Sequence, residues 1–171
     1  MQLISMRGDG LGHELTRYCY ASLAAAPDHF VRVEDWSELT PLGFAIFNDD
    51  LGLATALREA GARLDRASRR GSSALHLASA YGRQSCARWL LELPGTAIDA
   101  ARWDGQAPLH LASRNGHAEV ARLLVGAGAA LDAKIEGGYT PLLLAVSNSH
   151  EAIARLLVDV GADLDAKIEA G

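Results

Sequence analysis

Apolar residues recur along the chain at helical spacing, in pairs of short segments. In the segment "HAEVARLLVGAG" they lie three or four residues apart, as on one face of an α-helix, at Val120, Leu123, Leu124 and Ala127. The segment before it, "APLHLASRNG", is also helical in pattern and ends at Gly116, which can close a helix in the left-handed conformation. Pro108 stands in its first turn, where the missing N–H costs nothing. The pattern predicts two short helices per unit.

This pair of segments occurs four times at a nearly constant period. The equivalent starting positions are 33, 34 and 33 residues apart, at Thr40, Ser73, Ala107 and Thr140. The extra residue of the second unit falls in "LELPGTAID", where Pro94 precedes the expected glycine. Isolated helices shorter than roughly 12–15 residues are marginal in water. Each unit must therefore bury its apolar face on its neighbours.

The turn–helix–helix unit, with phrases such as "APLHLA", "YTPLLLA" and "GAGAALDA", resembles the ankyrin repeat. The resemblance implies an all-α solenoid with repeats at 35–67, 68–101, 102–134 and 135–167. Residues 1–34 fit the pattern poorly and are predicted to form a degenerate helical cap, and residues 168–171 to begin an incomplete fifth repeat. The chain departs from the family's histidine position at Gly43 and Leu143.

Four residues are predicted to be structural. Gly105 and Gly138 stand in turns that need a positive φ. The resemblance implies that His76 and His110 bond to the backbone of turns. A metal site shared by these histidines is disfavoured, because packed helices lie roughly 8–10 Å apart and zinc needs its nitrogen ligands within about 2.1 Å.

Composition and motifs predict a non-enzymatic chain. Apolar residues make up 49% and charged residues 22%, near the globular average, and no apolar run reaches membrane-spanning length. The start lacks a secretory apolar core, so a cytoplasmic protein is expected, and Cys19 and Cys86 are expected to be reduced and buried. The glycines after Gly8 lack the third glycine of a dinucleotide loop, and "HAE" at His117 lacks the cysteines of a zinc deaminase. We expect no cofactor and no metal.

The resemblance implies that turn tips and first-helix surfaces line a concave groove for a protein partner. The candidate contacts are Trp36, Phe47, Arg69, Arg70, Tyr81, Trp103, Asp104, Arg114, Asn115, Glu136, Tyr139 and Asn148. Trp, Tyr and Arg dominate interface energies, so exposure is expected for Trp103 and Tyr139. For Trp36 and Phe47, packing on the N-terminal cap and on the next repeat, respectively, is an equal alternative.

Charge is distributed unevenly along the chain. Residues 1–60 carry a net charge of −5, residues 61–125 of +4 and residues 126–171 of −4. The basic middle predicts one protein partner with an acidic patch. Nucleic acid is not expected as a partner, because neutralising a few phosphates gives only weak, salt-sensitive binding.

Two functional classes follow. The first is a protein-binding module without catalytic activity. A more specific version of this class is a small bacterial inhibitor such as an immunity protein, because the arginine-rich composition suggests a GC-rich, bacterial genome. The alternative is a targeting or substrate-recruiting segment of a larger enzyme or effector. The phrase "DAKIEGG" recurs as "DAKIEAG" at the end, and the last helix keeps an interior apolar pattern at Ile153, Leu156, Leu157 and Val160. We therefore expect either a monomer whose array is cut here or an end-to-end dimer.

Overall fold

The structure is a computed structural model that describes residues 39–68 and 71–168. The chain divides into two units, Met1–Ser37 and Glu38–Gly171, and every described residue lies in the second. The predicted cap at 1–34 and the thiol of Cys19 lie outside the described residues.

Eight α-helices occupy the described ranges, and they follow the repeat pattern in four pairs. The pairs are α1 (Pro41–Phe47) with α2 (Leu51–Glu59), α3 (Ala74–Tyr81) with α4 (Gln84–Glu92), α5 (Pro108–Asn115) with α6 (Ala118–Gly126), and α7 (Pro141–Ser147) with α8 (Glu151–Asp159). A short 3-10 turn, Glu136–Gly138, precedes α7, and one isolated antiparallel bridge joins Leu39 to Ser68.

The helices stack in two rows. The first helices α1, α3, α5 and α7 pack each on the next, and the second helices α2, α4, α6 and α8 form a parallel row behind them. The fully buried side chains between the rows include Leu75, Leu109, Leu124 and Leu157. No helix shorter than ten residues is stable alone, so this burial between repeats holds the array together. The predicted all-α solenoid is confirmed.

Three of the four first helices begin at a residue whose side chain accepts from a free backbone N–H group, and the third begins at Ala107, which has no side-chain cap. The hydroxyls of Thr40 and Thr140 accept from the N–H of Gly43 and Leu143 at 3.1 and 3.3 Å. Ser73 does the same for the N–H of His76 at 3.3 Å. Such caps contribute about 1 kcal/mol each. Repeats 1 and 4 thus begin with a threonine cap and repeat 2 with a serine cap.

The turns between repeats depend on glycine, as predicted. Gly105 and Gly138 have φ values of 76° and 75°. Their N–H groups donate to the carbonyls of Arg102 and Ile135 at 2.9 and 3.0 Å, which closes each turn. A side chain at a positive φ costs energy, so these positions favour glycine.

The first repeat has glycine at the position where the family has histidine. Gly43 is buried, and a Cβ added there would lie 2.3 Å from the carbonyl oxygen of Ala67. The backbone of the next turn therefore occupies the space that a histidine would need. At the other end of the array, Val146 and Leu164 leave apolar surface exposed at 59% and 68%.

Candidate functional site

Two histidines link each repeat to the turn that follows it. The Nε2–H groups of His76 and His110 donate to the carbonyls of Gln106 and Ala133 at 3.1 and 2.8 Å. Both rings are 1% exposed, and their Nδ1 atoms accept from the backbone N–H of residues Ser73 and Ala107 at 3.2 and 3.3 Å. Both nitrogens of each ring are therefore used within the fold, as a structural role for these histidines requires.

A second pair of histidines reaches back to the preceding repeat. The Nε2–H groups of His117 and His150 each donate to a first-helix carbonyl, those of Ala80 and Arg114, at 3.0 Å. The His117 ring lies against Gly82, where an added Cβ would be 2.5 Å from Nδ1. In the sequence His117 opens the segment of a predicted second helix, and this contact was not predicted. The signal was present, since a glycine stands about one repeat before each of these histidines.

Burial favours the neutral form of three of these rings, those of His76, His110 and His117. It lowers the pKa of His76, His110 and His117 below the ordinary value of histidine, against the opposing effect of the backbone carbonyl that each ring contacts. The neutral ring is the form that the contacts require, because Nδ1 must accept a hydrogen bond from the backbone in His76 and His110. We call His76, His110, His117 and His150 the interface histidines.

The turn of the third repeat presents an aromatic side chain at its tip. Trp103 is 69% exposed, the largest exposed fraction among the apolar side chains of the described ranges. On either side of it, the Arg102 guanidinium binds the Asp104 carboxylate through two bonds, Nε to Oδ1 at 2.7 Å and Nη2 to Oδ2 at 2.5 Å. Both partners are less than one fifth exposed. The indole thus projects from a turn that its two neighbours brace.

Asp104 faces its own turn. Besides the two bonds from Arg102, its carboxylate accepts from the backbone N–H of Gln106 at 3.2 Å and from the Gln106 amide at 2.8 Å. Burial alone would raise the pKa of Asp104, but the hydrogen bonds from Arg102 and from the Gln106 backbone outweigh it and lower the pKa. Both carboxylate oxygens are committed to the turn, so Asp104 contributes to the surface chiefly by supporting Trp103.

The fourth-repeat turn presents a different tip. Glu136 is exposed there, and Tyr139 is half-buried, with its ring edge close to Gly137, where an added Cβ would be 3.3 Å from Cε2. The prediction of exposure therefore holds more fully for Trp103 than for Tyr139.

Phe47 and Tyr81 form a cluster at the ends of the first helices of repeats 1 and 2. Their ring centroids are 4.9 Å apart in an edge-on arrangement, and the Arg83 guanidinium lies 5.2 Å from the Phe47 centroid. Both rings are half-buried. Of the two alternatives for Phe47, the structure shows packing on the next repeat. Arg83, which sequence reasoning did not single out, covers the ring on one side.

The remaining first-helix candidates lie at helix ends. Arg114, Asn115 and Asn148 are exposed. The Asn115 amide donates to the carbonyl of Ala80 in the preceding repeat at 2.8 Å, and that of Asn148 donates to Leu144 in its own helix at 2.8 Å. Their amide carbonyls and the Arg114 guanidinium remain on the surface. Trp36, Arg69 and Arg70 lie outside the described residues.

Other chemistry in the described ranges is sparse. Cys86 is a free, fully buried thiol, as predicted, and burial together with the neighbouring Asp49 raises its pKa to about 12, so it is unreactive. Within residues 39–68 and 71–168 no three His, Cys, Asp or Glu side chains cluster as metal ligands would. None of the helices found there is long and apolar enough to cross a membrane.

The family models match most of this region. The ankyrin repeats model in three copies matches residues 93–168, and the single ankyrin repeat model matches residues 70–102. The chain belongs to the ankyrin-repeat family. Ankyrin repeats are in general protein–protein interaction modules and are typically non-catalytic. No curated protein matches the chain.

Proposed function

We propose that this ankyrin-repeat chain is a non-enzymatic module that binds one protein partner through its turn tips and first-helix ends. The observation that carries the proposal is Trp103, a large apolar side chain 69% exposed on a braced turn. Exposing an indole is unfavourable for a free protein, whereas a rigid aromatic anchor loses little entropy on binding. Bracing by Arg102 and Asp104 lowers that ordering cost further.

We define the recognition surface by the described candidates that remain accessible. Its members are Phe47, Tyr81, Trp103, Arg114, Asn115, Glu136, Tyr139 and Asn148. The two arginines predicted at the second turn, Arg69 and Arg70, are proposed to extend it. The net charge of +4 over residues 61–125 favours a partner whose facing surface is acidic, because complementary charge raises the association rate and excludes like-charged competitors.

A comparison of three baits tests the proposal. The wild-type chain and the Trp103→Ala variant are immobilised, crosslinked to lysate from the source cells, and the captured proteins quantified by mass spectrometry. A partner should be enriched on the wild type and depleted on the variant. Leu164→Ala is the matched control, since Leu164 is 68% exposed but lies outside the recognition surface. A capture profile that is identical for all three baits would refute the recognition surface.

The effect of the chain on the activity of the captured partner then distinguishes the two functional classes. We propose the inhibitor form, a small bacterial protein of the immunity type, as the first to test, with a recruiting segment of a larger enzyme or effector as the alternative. An inhibitor suppresses the partner's activity at concentrations that track the dissociation constant. A recruiting segment binds as tightly but leaves that activity unchanged.

A further inference from the structure

A crevice of about 390 Å³ opens between the end of repeat 1 and the loop that ends repeat 2. Its floor is formed by Leu75, His76 and Leu90, none more than 2% exposed, and its rim includes the exposed residues Asp65 and Ala97. The crevice is thus an apolar recess that reaches solvent. It includes no residue of the recognition surface.

The extra residue of repeat 2 changes the loop beside this crevice. In repeat 3 the N–H of Ala129 donates to the carbonyl of Leu124 at 3.0 Å, so the backbone closes the end of α6. In repeat 2 the equivalent carbonyl, that of Leu90, accepts from the N–H of Leu93 at 3.2 Å and from the hydroxyl of Thr96 at 2.6 Å. The residue after α4, Leu93, is extended, with ψ of 134°. The loop therefore leaves α4 by a different path.

One aspartate bond joins neighbouring repeats at the same level elsewhere in the array. Asp99 Oδ1 accepts from the N–H of Ala130 at 2.9 Å. Asp132 Oδ1 accepts from the N–H of Asp163 at 2.8 Å. Each bond fixes the loop of one repeat against the end of the repeat before it.

This bond is missing between repeats 1 and 2. The equivalent residues are Asp65 and Ala97, but Asp65 is bound by the Arg63 guanidinium, at 3.1 Å from Nε to Oδ1 and 2.6 Å from Nη2 to Oδ2. Within the described part of the chain the N–H of Ala97 has no acceptor. Because Arg63 binds both carboxylate oxygens of Asp65, this carboxylate does not bond to the Ala97 N–H and close the crevice.

The other polar groups of the crevice are already bonded. His76 uses Nε2 on Gln106 and Nδ1 on Ser73, and the Thr96 hydroxyl is bound to Leu90 and Leu93. These groups add no unmet hydrogen bond to the walls. An occupant consequently meets apolar surface and backbone donors that lack an acceptor, among them the Ala97 N–H.

We propose that this crevice docks one apolar side chain, of leucine to phenylalanine size, from an acidic segment of a protein partner. The side chain lies on Leu75 and Leu90, and the carbonyl oxygen of the segment accepts from the Ala97 N–H. This docking is independent of the recognition surface, so it can fail while the proposed function stands.

The positive charge beside the crevice favours an acidic segment over the other possible occupants. Arg66 follows Asp65, is exposed, and makes no salt bridge within residues 39–68 and 71–168. Arg63 and Asp65 neutralise each other, so Arg66, next in sequence to the rim residue Asp65, adds a positive charge beside the crevice. Carboxylates beside the apolar anchor are attracted to that charge, and lysines are repelled.

Peptide titration followed by proton–nitrogen NMR tests the proposal. The probes are three acetylated, amidated tripeptides, Glu-Phe-Glu, Lys-Phe-Lys and Glu-Ala-Glu. Glu-Phe-Glu should shift the Ala97 amide signal saturably, with a dissociation constant of roughly 1 mM as a single anchor allows. Lys-Phe-Lys should bind at least about fivefold more weakly, and Glu-Ala-Glu should give no saturable shift.

Three variants test where the peptide binds. Ala97→Leu fills the recess and should weaken Glu-Phe-Glu binding at least about tenfold, which corresponds to roughly 1.4 kcal/mol. Ala130→Leu, at the same position of repeat 3, should leave it within about twofold. Arg63→Ala should free Asp65 to bond Ala97, and so weaken peptide binding while slowing exchange of the Ala97 amide proton. Saturable shifts that survive Ala97→Leu, or that fall only on the recognition surface, would overturn the proposal, as would no saturable shift with any probe.

Discussion

Replacing His110 with alanine should destabilise the array by an amount that its contacts allow us to work out. The N–H of Ala107, 5% exposed, would lose its acceptor at Nδ1, which costs about 1–3 kcal/mol. The carbonyl of Ala133 is half-buried, so water can replace the lost donor, at a cost of about 1 kcal/mol or less. The space left by the ring adds about 1 kcal/mol. The expected loss is therefore roughly 2–5 kcal/mol.

Urea denaturation followed by circular dichroism at 222 nm measures this loss. The urea concentration at the unfolding midpoint should fall, while the slope of the unfolding free energy against urea concentration stays constant, because the surface exposed on unfolding is unchanged. Leu143→Ala is the matched control at the same position of repeat 4, where the side chain is half-buried and makes no such bond, so about 1 kcal/mol is expected.

A loss below about 1 kcal/mol for His110→Ala would refute the reasoning, because the buried N–H of Ala107 would then have found another partner. A chelator added to the wild type should leave the midpoint unchanged, and a large fall would show that the histidines bind a metal.

Three further predictions follow from the same structure. Trp103→Ala should change the free energy of unfolding by less than about 0.5 kcal/mol in thermal melts while weakening partner binding by about 2 kcal/mol or more; a large loss of stability would place the indole in the core. Acid should destabilise the fold, because burial lowers the pKa of His76 and His110 in the folded chain. As the pH falls, these histidines therefore take up protons in the unfolded chain before they do so in the folded chain. The free energy of unfolding is at its full value above about pH 6.5 and declines below it, toward the pKa values of the folded chain. Urea midpoints between pH 8 and pH 5 check this, and a midpoint that rises on acidification would contradict it. Gly82→Ala should cost more than Gly105→Ala, since both have positive φ but only the first new methyl would meet the His117 ring; equal losses in urea melts would show that the ring moves aside freely.

The repeat period was enough to locate the helices. Glycine and proline mark their ends, and those residues act through local backbone geometry that depends little on distant contacts, as at Pro108 and Gly116. The structural histidines were also predictable, because the family resemblance carries over position by position to His76 and His110. The interface histidine His117 was missed because its partner carbonyl lies 37 residues earlier.

The candidate site was less predictable, because it depends on side-chain choices between competing partners. Asp104 looks like an exposed tip residue in the sequence, yet its carboxylate turns back to Arg102 and Gln106. Phe47 could have pointed outward, but Tyr81 and Arg83 draw its ring against the next repeat. The crevice depends on the ion pair between Arg63 and Asp65. Neither the repeat period nor helix propensity predicts which partner Asp65 binds.

The few bonds across the boundary between repeats 1 and 2 affect the order in which the repeats unfold. The boundaries 2–3 and 3–4 each carry one aspartate bond and one interface histidine that reaches back to the preceding repeat, His117 or His150. Among the described residues boundary 1–2 has neither of these bonds; there Asp49 accepts from the N–H of Cys86 at 3.0 Å and Phe47 packs on Tyr81. In a linear chain of repeats, cooperativity is set by the coupling of each unit to its neighbour. Repeats 2 to 4 should therefore unfold as one block, while repeat 1 opens separately at lower denaturant. Amide protons of α1 and α2 should then exchange through partial openings that leave α5 and α6 protected.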